Sequence, residues 1–391
     1  MAAETLSFPT FSPNERVIEA KPFEVINPLE TAWNDISFIP SELKEGTEIT
    51  PLEVSLMGQG AFGVETYQKL KAQGHHIGVV FAPEGEKDAL RKEVLKDQEE
   101  GYNVRLYTLT GKKEDLATPE AAEAFNQNSP DIGVFASMTT IAPKEIFDGP
   151  KMGTLIYHNS LVPKGRGGSA VETALSNGDT EGGISIILAD EGTDTGDIVL
   201  QASMEFYKND TPFSVNADTY KLGVQMMVDS VELAARGKLE QVRVPQDKTT
   251  DTQDPFLGKL PVDWTKTAEE VYDFMRGLLN KKPYAVLNPD KPHNIFSIAG
   301  DVAWLPDRNY YGVKPGTIVE ISEKGMVVTT GDGGAVRVGT LQKSQIYKGK
   351  ETGTIYETKK PDNIGKRKSA KQLEEEEELQ VGQTFVIPQA A

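Results

Sequence analysis

Residues 154–201 read TLIYHNSLVPKGRGGSAVETALSNGDTEGGISIILADEGTDTGDIVLQ, with His158 near the start of the stretch and Asp194 near its end. Residues 154–157 form an apolar, β-prone run, a turn rich in Pro, Gly and Arg follows, and residues 184–188 form a second such run. The expectation is two adjacent parallel strands ending side by side, which would bring His158 and Asp194 into one crevice. Open α/β sheets hold their ligands at the carboxyl ends of strands. A histidine and a carboxylate there suit proton transfer and the stabilisation of an oxyanion. Taken singly, a histidine ending a strand is more often a satisfied structural group, and an aspartate in a Gly/Thr turn is usually a turn former.

Working outward, the chain alternates strand and helix from residue 53. A strand over 53–57 meets the turn Gly58-x-Gly60-x-x-Gly63, then a helix over 62–72 and a strand over 78–81. The turn has the form of a dinucleotide fingerprint, but no acidic residue stands at the end of the next strand to hold a ribose, so nicotinamide binding is not expected. Further strands are expected over 104–107 and 132–136, a helical segment over 112–126, and a long amphipathic helix over 212–236. The pattern predicts an α/β fold with a Rossmann-like, mostly parallel sheet.

Two frames in the opening stretch are specific: His158-Asn159-Ser160-Leu161-Val162-Pro163-Lys164-Gly165-Arg166-Gly167, and Asp190-Glu191-Gly192-Thr193-Asp194-Thr195-Gly196. In identity and spacing they resemble the catalytic segment of the folate-dependent formyltransferase family, over residues 53–342. The resemblance implies the formyltransferase fold, with His158 and Asp194 as catalytic residues. It also implies 10-formyltetrahydrofolate or tetrahydrofolate as co-substrate, with no metal required. Ser160, Arg166, Asp190 and Glu191 fall in the substrate-binding frames, and Met138, Thr140 and Ile141 lie where the family wraps backbone around the pterin ring. Transferring members carry an asparagine two residues before the histidine; here it is Ile156, which faces the same crevice because strand side chains alternate. In this position the chain is similar to the hydrolase domain of 10-formyltetrahydrofolate dehydrogenase.

Beyond a Lys/Thr/Asp/Gln linker at 247–254, strand signals recur at 316–321, 325–330 and 335–341. The region resembles the small C-terminal β-barrel (OB-like) domain of the family. The domain reading is therefore an N-terminal extension at 1–50, a catalytic domain at 51–252, a barrel at 253–352 and a charged tail at 353–391. The extension carries spaced aromatic anchors at Phe23, Trp33 and Phe38, which favour docking, on another subunit or a larger complex, over disorder. Basic and then acidic runs mark the tail as solvated, although residues 383–388 could add as a strand.

Composition sets bounds on function. The chain has 391 residues, 38% of them hydrophobic, enough for two packed cores. A formal charge of −18, from 59 acidic and 41 basic residues, argues against nucleic acid and anionic membranes as partners. With no cysteine, disulfides, thiolate metal sites and a cysteine nucleophile are excluded. No apolar run is long enough to span a bilayer, and the N-terminus has neither a secretory pattern nor an Arg-rich transit peptide, so a cytoplasmic location is expected, with an organelle as the alternative. The leading functional expectation is a hydrolase or transferase using 10-formyltetrahydrofolate in one-carbon metabolism. The alternatives are a weakly active or non-catalytic subunit of a larger complex, and methionyl-tRNA formylation.

Overall fold

The structure, a computed structural model, describes residues 37–39, 41–45, 47–138, 140–246, 260–287, 295–344, 367–376 and 378–386, with short strand segments at 6–7, 17–21, 346–348 and 355–357. Phe23, Trp33, Thr139 and the 247–254 linker lie outside these residues. The chain divides into two compact units. The first comprises residues 1–170, 181–207 and 215–254; the second comprises residues 171–180, 208–214 and 255–391. The two short inserts at 171–180 and 208–214 thus belong with the C-terminal unit.

The first unit is built on a nine-stranded sheet. Its strands are β1 (Leu6–Ser7), β2 (Val17–Lys21), β3 (Glu53–Gly58), β4 (His76–Pro83), β5 (Arg105–Leu109), β6 (Ile132–Ala136), β7 (Thr154–His158), β8 (Glu181–Leu188) and β9 (Ile198–Glu205). The spatial order is β1-β2-β9-β8-β7-β6-β3-β4-β5. Strands β5, β4, β3, β6 and β7 run parallel, and the order reverses direction between β3 and β6. Strands β3, β4 and β6 read as nearly unbroken apolar runs because both faces are covered; Val54, Leu56, Ile77, Val79, Ile132 and Val134 are fully buried. Helices at Gly60–Ala72, Ala89–Glu99 and Pro119–Phe125 supply that cover.

One expectation is corrected here. Strands β7 and β8 are antiparallel, with Leu155 opposite Leu188 and His158 opposite Ser185, and β9 is antiparallel to β8. The two runs of the opening stretch therefore do not end side by side. Each carries its own apolar pattern, but strand direction is decided by the path between them, which includes the helix Ala170–Ser176.

The N-terminal extension docks on its own chain in the parts described. Strand β2 adds antiparallel to β9, with Ile18 opposite Met204. Phe38 and Ile39 are buried, and the Phe38 amide donates to the Asp229 carboxylate in the helix Pro212–Ala235. Apolar side chains at 38 and 39 supply the burial, and the carboxylate satisfies the amide they would otherwise strand.

The second unit holds an antiparallel sheet of β10 (Tyr284–Val286), β11 (Ile295–Trp304), β12 (Ile318–Ser322), β13 (Gly325–Thr329) and β14 (Ala335–Ser344), ordered β10-β11-β14-β13-β12. A hairpin of β15 (Ile346–Lys348) and β16 (Ile355–Glu357) forms a separate two-stranded sheet, and β17 (Lys368–Ser369) pairs with β14. The reading of 353–391 as a solvated tail is corrected for its described part. Leu373, Leu379 and Phe385 are buried, and Phe385 stacks on Trp264 with ring centroids 5.6 Å apart. Residues 384 and 386 bridge to Thr317 and Val286, which lie at the two edge strands β12 and β10. The charge runs obscured these widely spaced apolar residues, whose partners are far away in sequence.

Candidate active site

Strand β7 presents Ile156 and His158 on one face. Ile156 sits between Phe135 of β6 and Ile187 of β8 and packs, partly buried, on a cluster containing Val162, Ile187 and Ile198. His158 is 7% exposed. Its Nδ1 lies 3.4 Å from Asp194 Oδ2, and its Nε2 lies 2.7 Å from the Gly165 carbonyl oxygen. Both neighbours are hydrogen-bond acceptors, and together they hold the ring between the two loops.

Asp194 reaches His158 by an indirect route. Strand β8 ends at Leu188, opposite Leu155 at the beginning of β7, and the chain must then return towards His158. Residues 188–197 form a loop closed by the Leu188 amide donating to Asp197 O at 2.9 Å. Gly196 permits the turn: a Cβ there would lie 1.6 Å from the Leu188 carbonyl oxygen. Asp194 itself has φ +54°, a left-handed conformation that aspartate adopts more readily than most residues. Its Oδ2 accepts the Gly167 amide at 2.9 Å. Asp190 shapes the same loop, accepting from the Gly192 amide at 3.0 Å and the Thr195 hydroxyl at 2.6 Å.

The loop after His158 is held from beneath. The Ser185 hydroxyl donates to Ser160 O at 2.6 Å and accepts the Val162 amide at 3.3 Å, while Gln201 Nε2 donates to Val162 O and to Ser185 Oγ, each at 2.9 Å. Ser160 Oγ donates to Lys164 O at 2.9 Å. Gly165 has φ +73°, and a Cβ there would stand 3.0 Å from the Ser160 Cβ, so the turn that aims its carbonyl at His158 calls for glycine.

The remaining sequence-derived residues fall in three places. Arg166 is 6% exposed, and its Nε and Nη2 donate to Gln246 Oε1 at 3.2 and 2.9 Å. Glu191 is exposed and pairs with Lys144 at 2.7 Å, a contact worth little in water. Met138, Thr140 and Ile141 lie on the loop after β6, next to β7 in the sheet; Met138 packs on the core cluster around Phe135, and Ile141 is 82% exposed. The structure thus joins His158, Asp194 and Ile156 in one place, with Ser160 and Arg166 in the loops that frame them. The sequence reading missed Ser185, Gln201 and Gln246. Ser185 and Gln201 are polar interruptions in apolar strands, a signal that was legible; Gln246 borders a polar linker and carries no local mark.

At the glycine turn, a Cβ at Gly58 would lie 3.1 Å from Ala136 Cβ, and one at Gly63 would lie 2.9 Å from a Leu90 methyl, so these glycines serve close packing of strand and helix. The Gly60 amide, at the start of the helix, is taken by Asp88 Oδ2 at 2.9 Å. A carboxylate therefore occupies the helix N-terminus where a dinucleotide phosphate would sit.

Residues 53–231 match the Formyl transferase family, and residues 259–356 match its C-terminal domain. Cytosolic 10-formyltetrahydrofolate dehydrogenase of Xenopus laevis is 33% identical over 232 residues, covering 58% of this chain and 25% of that protein. The chain thus spans about a quarter of that relative's length. Methionyl-tRNA formyltransferase of Bacillus cytotoxicus is 31% identical over 302 residues, covering 74% of this chain and 91% of that protein. Among solved structures, an N-formyltransferase from Helicobacter canadensis, in complex with folinic acid and dTDP-3-aminofucose, shares the fold at a TM-score of 0.51 and 15% identity, over 73% of this chain and 98% of that one.

Proposed function

Because the chain belongs to the formyl transferase family, we propose that it is an enzyme acting on the formyl group of 10-formyltetrahydrofolate, with water as the preferred acceptor. The observation that carries this reading is the His158–Asp194 pair at 3.4 Å beside Ile156. Isoleucine offers the formyl oxygen no hydrogen bond, which disfavours the three-residue arrangement of a transferring site.

In the proposed reaction the folate's formyl carbon lies against the pair. Asp194 accepts a proton from water as the water oxygen bonds to the formyl carbon. His158 gives up its contact with Gly165 O and donates to the developing oxyanion. Collapse of the tetrahedral intermediate breaks the carbon–N10 bond, the proton passes to N10, and formate and tetrahydrofolate leave. One proton of the water passes by way of Asp194 to N10 and the other is released as the formic acid ionises, so 10-formyltetrahydrofolate and water give tetrahydrofolate, formate and a proton with no redox partner. The name of the Xenopus relative and the folinic acid in the Helicobacter complex support folate as the co-substrate.

Transfer to an amine acceptor is the second reading. It is favoured by the C-terminal family domain and by the 91% coverage of the Bacillus methionyl-tRNA formyltransferase. Incubation of the purified protein with 10-formyltetrahydrofolate, alone and with initiator methionyl-tRNA or sugar-nucleotide amines, separates the two. Formate release without acceptor supports hydrolysis; turnover only with an acceptor overturns it.

A further inference from the structure

Gln246 spends its whole side-chain amide on the two loops that build the site. Its Oε1 accepts from both Arg166 Nε and Nη2, at 3.2 and 2.9 Å, and its Nε2 donates to Asp194 O at 3.1 Å and Gly196 O at 2.5 Å. A primary amide has two donor hydrogens and two acceptor lone pairs, so the group is saturated. Gln246 is 8% exposed, and Arg166 is 6% exposed. The amide therefore joins the side chain of the loop after His158 to the backbone of the loop carrying Asp194, in a place where water does not readily substitute for either partner.

We propose that Gln246 is a positioning residue that holds Asp194 against His158. Asp194 needs such a hold for three reasons. It stands in a left-handed backbone conformation at φ +54°. Its loop leaves β8 at the far end of β7 from His158. Among the described residues its carboxylate takes one backbone amide, that of Gly167, which lies on the loop that Gln246 also grips through Arg166. Release of the 194 and 196 carbonyls lets the loop move, and a displacement of about an ångström in a proton-transferring group is enough to slow a reaction strongly.

The inference rests on the reading that Asp194 and His158 act together on the formyl group, and two variants with two readouts separate its failure from the failure of that reading. Gln246→Glu keeps an acceptor for Arg166 but replaces the donor facing the two carbonyls with an oxygen. Gln246→Met keeps the length and removes both functions. The first readout is hydrolysis of 10-formyltetrahydrofolate. Both variants are expected to lower kcat about tenfold or more while KM for the folate stays within about twofold, the split expected when orientation and not binding is lost. The second readout needs no turnover: the ring-nitrogen NMR signals of His158, identified among the four histidines through their loss in His158→Ala. In Gln246→Glu these signals are expected to move in the same direction as in Asp194→Asn. Unchanged His158 signals in folded Gln246→Glu overturn the positioning role whether or not the protein hydrolyses the folate. Shifted signals with an inactive wild-type protein uphold the positioning role and overturn the hydrolase reading. If Gln246→Met does not fold, Gln246→Glu decides alone, because its Arg166 contact is retained.

Discussion

His158 Nδ1 and Asp194 Oδ2 stand 3.4 Å apart although β7 and β8, the strands that lead to them, run in opposite directions. Their proximity is made by a loop that doubles back, and not by two strand ends lying side by side. The pair is accordingly a tertiary product, sensitive to whatever fixes that loop.

Replacement of either member is expected to be severe. His158→Ala and Asp194→Asn should each lower formyl-group turnover by about a hundredfold or more, because each removes an interaction made in the transition state. Binding of a reduced-folate analogue, measured by calorimetry, should change far less. Near-normal turnover in either variant would sink the proposed chemistry.

Ile156→Asn places an amide on the face shared with His158. Ile156 also packs on Val162, Ile187 and Ile198, so an unpartnered amide there should cost about 1–3 kcal/mol of stability. The expected outcome is a lower melting temperature together with a larger share of formyl groups passed to an added amine acceptor instead of water. Unchanged partitioning with an unchanged melting temperature would mean that residue 156 does not face the reaction centre.

Asp229 provides a pH test of the docked N-terminal segment. Burial, acting against the hydrogen bonds from the Phe38 amide and Gln225, pushes its carboxyl up to about 6. Lys44 and Glu232 are the charged groups that bear on it, the first favouring and the second opposing ionisation. In the unfolded chain the group ionises near pH 4. Between these values the folded protein holds the proton and the unfolded chain does not, so stability falls as pH rises through that window. At neutral pH the penalty is on the order of 2–3 kcal/mol for a shift of about two units. Asp229→Asn is expected to raise the unfolding midpoint more at pH 8 than at pH 4. An equal effect at both would show that the carboxyl is not held protonated by burial.

The C-terminal residues should contribute directly to the second unit. Phe385 is 2% exposed and stacks on Trp264, so Phe385→Ala is expected to cost about 3–5 kcal/mol, as for other buried aromatic truncations. Urea unfolding followed by tryptophan fluorescence reads this directly. A chain ending after residue 379 with an unaltered midpoint would contradict it.

Much of this protein is legible along the chain. Alternating strand and helix from residue 53, the strands near 53, 78, 104 and 132, and the long helix from residue 212 all appear as local apolar patterns, because each such element buries a face or stripe against whatever lies beside it. The two motif frames fix the residue types at 158 and 194 in the same direct way. The direction of β8 was not legible: a strand's pattern records that its side chains are buried, and says nothing of which way its neighbour runs. Nor were the return of Asp194 to His158, the saturation of Gln246, or which two strands residues 384 and 386 would meet, although their docking as an added strand was open to a sequence reading. Each of these depends on hydrogen bonds between groups far apart in sequence, whose geometry exists only after the sheet has assembled. The sequence by itself determined the family, through two motif frames at set spacing that resemble its catalytic segment. The tertiary structure alone decided how His158 and Asp194 meet, because a left-handed backbone, a glycine with no room for a side chain and one buried amide act on that loop together.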